Sequence, residues 1–297
     1  MTYFQAVIIG ILQGVTELFP ISSLGHSVLI PELFGWHALV AGQSADESFY
    51  LAFLVGLHVA TAIALLAFYR RDWVAVVGGF VASIRHRRIE SPSERMAWLL
   101  VVSTIPVGIV GLLFEHTLRT VFATPEAAAV LLMVNGLILF AGERLRRRSD
   151  VRALAVHHDH HDDPDGDIGR DLDTLALPEG VGIGSAQILA LFAGISRSGV
   201  TMVAGLLRGL DHEDAMRFSF MLATPVILAA GVYKLPDLVG PNGDHVRGQV
   251  LVGSIAAGIA AYVSVRFLER YFRARTLTPF AWYCLIAGAA MTVYLAV

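Results

Sequence analysis

The chain is poor in charged residues and in cysteine. Charged side chains make up only 16% of its 297 residues, against 55% hydrophobic ones, and this balance lies outside that of soluble domains. The single cysteine, Cys284, sits inside an apolar run, so a disulfide framework and a cysteine-based metal site are both excluded. Apolar runs recur along the whole chain, which also excludes a soluble enzyme with one membrane anchor.

Six of these apolar runs are predicted to span a membrane. Each has about 20 residues, enough to cross roughly 30 Å of hydrocarbon as a helix. They cover residues 49–69, 96–114, 125–142, 215–233, 249–267 and 279–297.

The positions of the basic residues predict the orientation of these spans. Arginines cluster after the first, third and fifth runs, whereas the loops on the other side hold only Arg119, Lys234 and Arg247. Loops rich in Lys and Arg stay in the cytoplasm. The clusters are therefore predicted to be cytoplasmic, and the first span runs inward.

Two apolar stretches, 4–36 and 181–210, are left over, and this orientation makes each enter and leave the membrane on one face. Prolines, glycines and serines interrupt both of them. We therefore predict two re-entrant helical hairpins that enter from opposite faces. Non-helical backbone is tolerated at membrane depth only where it is buried or lines a cavity, so their tips should mark a functional cavity. The short run 73–84 is predicted to lie along the cytoplasmic interface.

A constant offset aligns the two hairpins, and it pairs Gln13 with Gln187, Ile21 with Ile195, Ser22 with Ser196 and Gly25 with Gly199. Each half then reads as one hairpin followed by three spans of inverted orientation. The prediction is an all-α, polytopic integral membrane protein with six spans and two re-entrant hairpins. Its single membrane domain, 1–297, comprises a first repeat (1–143), a cytoplasmic linker (144–179) and a second repeat (180–297).

Within the linker, residues 157–167 are rich in histidine and aspartate. Such a segment is compatible with Zn²⁺ or Ni²⁺ binding. We favour the alternative of a solvated linker, because the sequence alone gives no evidence of a fixed ligand geometry.

The first tip reads QGVTELFPISSLGH over residues 13–26. Gln13 and Glu17 are four residues apart and share one helix face, so together they can hold a cation such as Mg²⁺ or Ca²⁺. An unpaired Glu17 would cost several kcal/mol in hydrocarbon, so we expect it to face a polar cavity and to find a partner. The same holds for His26 and Arg197.

The segment after Pro20 adds groups that suit an anion. Ser22, Ser23 and Gly25 stand where a second helix begins, and the backbone N–H groups at a helix start bind anions. His26 can transfer a proton or act as a nucleophile. The sequence leaves open whether Ser23 or His26 is the nucleophile.

The second tip reads AGISRSGVT over residues 193–201. Its Arg197 has a planar fork that suits two oxygens of a phosphate, and the tip provides further binding groups in Gly194, Ser196, Ser198 and Thr201. The two tips together are typical of the electrostatic clamp that phosphoryl transfer requires. Thr201 has the alternative of bonding back to its own helix. For His58, in the middle of the first span, we favour a buried structural role.

At these motifs the chain resembles the undecaprenyl pyrophosphate phosphatase family, the membrane enzymes linked to bacitracin resistance. The likeness covers nearly the full length and includes FYRR at 68–71, IPVGIVGLLF at 105–114, FSFMLATP at 218–225 and TPFAWY at 278–283. The family's first motif falls on Gln13, Glu17, Ser22, Ser23 and His26, and its second on Gly194, Ser196, Arg197, Ser198 and Thr201. Gln13 stands where many members have glutamate, and the family accepts either residue.

The resemblance implies hydrolysis of undecaprenyl diphosphate to undecaprenyl phosphate, which recycles the lipid carrier for cell-wall synthesis. It also implies a bacterial plasma membrane location. The distribution of arginines puts residues 31–48 outside and so predicts an active site that opens to the external face, with which the resemblance agrees. The expected partners are the polyprenyl diphosphate and the bilayer, with no nucleic acid, and a second copy of the chain as a further candidate. The alternative is a lipid flippase or secondary transporter, because inverted repeats with broken helices are common in transporters.

Overall fold

A computed structural model describes residues 1–36, 39, 49–122, 124–156, 170–239 and 247–297. Within these residues the chain forms eleven α-helices and two short 3₁₀ helices, Leu172–Thr174 and Ala186–Leu191. The predicted all-α class is confirmed. The helices are α1 Tyr3–Thr16, α2 Ser23–Leu33, α3 Phe49–Phe68, α4 Arg70–His86, α5 Pro92–Phe122, α6 Pro125–Val156, α7 Leu177–Ser185, α8 Arg197–Leu206, α9 His212–Val239, α10 Arg247–Phe272 and α11 Thr278–Ala296.

Five helices are long and apolar enough to cross a membrane by themselves. Their apolar parts are Pro92–Phe114, Pro125–Arg148, His212–Tyr233, Arg247–Phe272 and Thr278–Ala296. A sixth span arises if α3 and α4 are taken as one bent pair. The chain is therefore a multi-pass membrane protein, and each of the six predicted runs matches one of the helices α3, α5, α6, α9, α10 and α11, with at most one residue beyond the helix end.

Helix α4 turns away from α3 by 88°. It exposes a stripe of apolar side chains formed by Val74, Val77, Val81 and Ile84, spaced as one face of a helix. Its opposite side is tied to the protein, because Arg217 of α9 donates to Asp72. A short helix that lies across the end of a span and shows one apolar face suits the membrane interface predicted for 73–84.

The first hairpin consists of α1 and α2. These helices have 14 and 11 residues, so at about 1.5 Å per residue neither can cross the bilayer. The chain reverses between them around Pro20, and Ser22 adopts a left-handed conformation with φ 71°. That conformation is uncommon for a residue with a side chain, and its hydrogen bonds are described with the site.

The second hairpin consists of α7, the 3₁₀ helix Ala186–Leu191 and α8. The chain turns between the last two elements, where Gly194 has φ 111°. Only glycine adopts such a backbone readily. Both predicted hairpins thus have the expected pattern of helix, break and helix.

Helices from each half of the chain pack against helices of the other half. Helix α1 lies along α10 and α7 lies along α5, while α3 packs on α9 and α6 on α11. The contacts are close: a Cβ added at Gly14 would lie 2.3 Å from the Ala257 carbonyl oxygen, and one at Gly184 would lie 2.0 Å from that of Ser103. This packing of one half against the other brings the tips of the two hairpins together. The division into repeats at residues 143 and 180 stays a prediction.

The linker between the halves is only partly described. Helix α6 continues into it as far as Val156, and the histidine-rich segment 157–167 lies outside the described residues. At the far end Arg170 donates from Nη1 to Glu179 Oε1 at 2.8 Å, and this bond lowers the pKa of Glu179 to about 2. The end of the linker is thereby tied to the start of α7.

A buried carboxylate, that of Glu143, lies near the end of the apolar part of α6. Glu143 Oε1 accepts hydrogen bonds from His212 Nε2 at 2.5 Å and from the Leu277 N–H at 2.8 Å. The other ring nitrogen of His212 accepts from Arg146. This group, the Glu143 cluster, joins α6 to the start of α9 and the start of α11.

Candidate functional site

The two hairpin tips touch each other directly. Ser22 Oγ accepts hydrogen bonds from the N–H of Gly25 on its own helix and from the N–H of Gly194 on the other tip, each at 3.2 Å. A Cβ added at Gly25 would lie 3.0 Å from Gly194 Cα. A side chain at position 25 would therefore push the two tips a few tenths of an ångström apart, and the Ser22 hydroxyl joins the tips.

Asn135 on α6 forms a second bridge between the tips. Its Nδ2 donates to the Pro20 carbonyl at 3.0 Å, and its Oδ1 accepts from the Ser196 N–H at 2.9 Å. The side chain is fully buried. The sequence analysis missed this residue, although an amide in the middle of an apolar span is itself a signal of function or of a specific contact.

Glu17 is the centre of the polar network. Its Oε1 accepts from Arg197 Nη2. Its Oε2 accepts from Ser23 Oγ at 2.5 Å and from Gln13 Nε2 at 3.0 Å, and lies 3.3 Å from His58 Nε2. The structure thus pairs Glu17 with Arg197, and it places a serine hydroxyl and a histidine on the same carboxylate.

Arg197 has one guanidinium nitrogen that is not hydrogen-bonded within the described part of the protein. Its Nη2 contacts Glu17, while its Nη1 is buried and has no hydrogen-bond partner among the described residues. A buried donor without a partner costs about 1–3 kcal/mol, so this nitrogen is available for a ligand oxygen. Arg197 also opens α8, where Ser196 Oγ caps the Gly199 N–H at 3.2 Å, and the positive end of that helix favours an anion.

These groups line one wall of a cavity of about 230 Å³. The polar wall consists of Glu17, Ser22, Ser23, His58, Gln187, Ser196 and Arg197. The apolar part of the lining comes largely from α3, α5 and α9, with Leu54, Val55, Val107, Val226, Ile227 and Ala230. A cavity with a cationic polar end and an apolar wall suits a ligand with an anionic head and a hydrocarbon tail.

His26 lies behind the tip rather than beside Glu17. Its Nδ1 donates to the Ser22 carbonyl at 2.7 Å, and its Nε2 accepts from the Tyr283 hydroxyl at 2.7 Å. These bonds stabilise the left-handed backbone of Ser22. The catalytic role of His26 stays a prediction, while the geometry shows it as a support for the tip. The histidine on the carboxylate is His58, for which the sequence had favoured a structural role.

Other predicted site residues make contacts within the protein. Thr201 Oγ1 donates to the Arg197 carbonyl at 2.6 Å, which is the alternative considered for it. Ser196 Oγ and Ser198 Oγ lie 3.0 Å apart, and Ser198 Oγ also donates to the Phe19 carbonyl at 3.2 Å. These side chains hold the tip in shape, and their contacts with a ligand stay predictions.

Two side chains near the tips carry oxygens of the kind that a divalent cation takes when it binds together with a phosphate. Gln13 Oε1 is buried and has no hydrogen-bond partner among the described residues, so it is an oxygen available to a hard cation beside the Glu17 carboxylate. The described part of the chain holds no group of three His, Cys, Asp or Glu side chains placed for a metal. Mg²⁺ commonly takes one or two protein oxygens and completes its shell with phosphate and water.

Comparison with known proteins gives one consistent family. Undecaprenyl-diphosphatase 2 of Frankia alni is 56% identical over 339 residues, covering 100% of this chain and 99% of the relative. The undecaprenyl-diphosphatase of Mycolicibacterium paratuberculosis is 58% identical over 302 residues, covering 100% and 98%. Undecaprenyl-diphosphatase 2 of Burkholderia orbicola is 44% identical over 292 residues, covering 97% and 95%.

A family model described as bacitracin resistance protein BacA matches residues 6–290. This match spans both hairpins, the polar network between them and every helix from α3 to α10. The chain therefore belongs to the bacitracin resistance protein BacA family.

Proposed function

We propose that this chain hydrolyses undecaprenyl diphosphate to undecaprenyl phosphate and inorganic phosphate, which recycles the lipid carrier for peptidoglycan synthesis. The names of its relatives support this activity. One observation carries it from the chain's own residues. Arg197 holds Glu17 with one guanidinium nitrogen and keeps a buried one unpaired, and the Ser23 hydroxyl donates to the same carboxylate.

Arg197 and the start of α8 bind the diphosphate. The unpaired Nη1 of Arg197 donates to an oxygen of the terminal phosphate, and the positive helix end adds attraction. The hydrocarbon tail lies along the apolar wall of the cavity, next to Val55 and Val226. A lipid head thus reaches Ser23 while its tail stays in an apolar environment.

Ser23 is the nucleophile in this proposal. Its Oγ attacks the terminal phosphorus and its proton moves to Glu17 Oε2, 2.5 Å away, so Glu17 acts as the general base. The anhydride P–O bond breaks and undecaprenyl phosphate leaves. The leaving undecaprenyl phosphate carries away the proton that Glu17 received. Water then attacks the phosphorus of the phosphoserine, the bond between this phosphorus and Ser23 Oγ breaks, and Glu17 passes a water proton to Oγ as inorganic phosphate leaves. Ser23 is preferred to His26 because Nε2 of His26 is occupied by Tyr283.

A divalent cation, Mg²⁺ or Ca²⁺, is part of the proposal. Gln13 Oε1 and the Glu17 carboxylate are the protein oxygens that would hold it, with the remaining ligands from phosphate and water. When bound, it neutralises charge on the phosphate oxygens.

The test of this function is phosphate release by the purified protein in detergent, without any membrane gradient. We expect undecaprenyl diphosphate to yield one inorganic phosphate per molecule, and Arg197→Ala to lose the activity while still being extracted in folded form. Absence of phosphate release by the wild-type chain would contradict the proposal. Gradient-dependent movement of the lipid by that inactive protein would favour the flippase alternative.

The proposed location is the bacterial inner membrane, with the cavity open to the external face. The distribution of basic residues supports this orientation. In sealed right-side-out vesicles, an impermeant thiol reagent should label a cysteine at position 43 or 242, both outside the described residues, and should spare Ser149→Cys. The opposite labelling pattern would place the site on the cytoplasmic side. Cross-linking in the same vesicles tests whether a second copy of the chain is a partner.

A further inference from the structure

His58 reaches the carboxylate from a helix that belongs to neither tip. Helix α3 carries it into the cavity wall, with Nε2 3.3 Å from Glu17 Oε2. Its Nδ1 is hydrogen-bonded to the Leu54 carbonyl one turn earlier at 2.8 Å. The imidazole is therefore held by its own helix at one nitrogen and presents the other to Glu17.

The oxygen that His58 contacts is the one that matters for the proposed reaction. Ser23 Oγ donates to this Oε2 at 2.5 Å, so in the proposed step Oε2 receives the serine proton. The other oxygen, Oε1, is held by Arg197 Nη2. The partners of the two oxygens set the orientation of the Glu17 carboxylate. They therefore also set how Oε2 is directed towards Ser23.

These partners differ in what they do when substrate binds. Arg197 then contacts a phosphate through Nη1 as well as Glu17 through Nη2, so its position also depends on the ligand. His58 stays fixed by Leu54. An error of about 1 Å in the placement of a reacting group can cost on the order of 10²-fold in rate.

We infer that His58 is a positioning residue, which holds Glu17 Oε2 towards Ser23 while Arg197 engages the phosphate. This inference rests on the proposed function. It predicts an effect on kcat that depends on Glu17 and needs only a hydrogen-bond donor at the position of Nε2. If His58 merely filled space in α3, the effect of its substitution on kcat would depend neither on Glu17 nor on the presence of a hydrogen-bond donor.

The experiment uses two substitutions of nearly equal shape. His58→Gln keeps an N–H donor of similar reach, whereas His58→Met has none. The matched control is Thr61→Val on the same helix, because Thr61 Oγ1 donates to the backbone carbonyl of His58 at 2.7 Å and not to Glu17. The probe is phosphate release from undecaprenyl diphosphate in detergent, and thermal unfolding checks the fold of each variant.

We expect His58→Met to lower kcat by about 10-fold or more with KM changed less than about 2-fold, because transition-state alignment is lost while binding is kept. His58→Gln should restore most of kcat, and Thr61→Val should match the wild-type chain. In a Glu17→Gln background, His58→Met should make no further difference to kcat, since the carboxylate base that His58 positions is gone. If His58→Met is not recovered in folded form, His58→Asn, whose amide is too short to reach Glu17, replaces it.

Three results would overturn the inference: wild-type kcat in the donorless variant, equal losses in the Met and Gln variants, or an undiminished loss in the Glu17→Gln background. The proposed function is judged separately by the wild-type chain and Arg197→Ala. If the wild-type chain is active, Arg197→Ala is inactive and His58→Met is fully active, only the role of His58 is wrong. If the wild-type chain releases no phosphate, both proposals fail together.

Discussion

The structure contains two buried glutamates that each contact a histidine on another helix, and they are used differently. Glu17 meets His58 in the cavity wall, and Arg197 contacts its carboxylate directly. Glu143 accepts a hydrogen bond from His212. The imidazole of His212 in turn stacks on the ring of Phe272, with the ring centroids 6.2 Å apart. Both pairs thus join separate helices with the same two residue types.

The difference lies in which donors are already satisfied. In the Glu143 cluster, Arg146 donates to the far nitrogen of His212, and the backbone N–H of Leu277 takes part as well. Around Glu17, a guanidinium nitrogen of Arg197 stays unpaired and a hydroxyl donates to the carboxylate. A Glu–His pair is therefore a structural joint when its donors are matched, and a candidate site when donors are left facing a cavity.

The largest expected effect separates the two glutamates by activity. Glu17→Gln should lower kcat by at least about 10²-fold, because the proposed base is lost. Glu143→Gln should leave kcat per folded molecule within about 2-fold, since Glu143 does not line the cavity and accepts from His212 and the Leu277 N–H. Phosphate release, normalised to folded protein, measures both. Equal losses of kcat in the two variants would show that the two glutamates do not differ in their importance for activity.

The two arginines give the next contrast. Arg197→Lys keeps the charge but lacks the planar fork that holds a carboxylate and a phosphate together, so we expect a loss of about 10-fold or more. Arg146→Lys should retain activity, because Arg146 acts on His212 rather than on a ligand. The same assay decides, and an active Arg197→Lys would show that charge alone suffices.

A smaller effect is expected at Gln13. Gln13→Glu adds a carboxylate beside Glu17, so the divalent-cation concentration for half-maximal activity should fall several-fold. Gln249→Glu is a distant control, since Gln249 Nε2 donates to the Met1 carbonyl at 3.3 Å. An unchanged or higher requirement for the cation would mean that Gln13 does not contact it.

The smallest effect on activity accompanies a loss of stability. Glu143→Gln replaces the charged acceptor of His212 and of the Leu277 N–H, and weakening these buried bonds should cost about 1–3 kcal/mol. Thermal unfolding in detergent should show a lower midpoint for this variant. A midpoint equal to that of the wild-type chain would remove the structural role of the Glu143 cluster.

Much of the architecture was predictable because its causes are local in the chain. Apolar runs of spanning length define the helices, and Pro20 and Gly194 mark the breaks at the tips. Gln13 and Glu17 share a face by helical spacing, and their hydrogen bond at 3.0 Å follows from that spacing. Positive charge near the spans predicts the orientation without any tertiary contact.

The contacts of the two histidines were decided only by the tertiary structure. His26 sits in the motif yet points to Tyr283, and His58, outside it, reaches Glu17. Asn135 likewise joins the tips through partners far away in the sequence. A polar side chain buried in a membrane protein takes the partner that packing brings within hydrogen-bond distance. Residue type and spacing therefore determine that a partner is needed, and the contacts between the two halves decide which one it is.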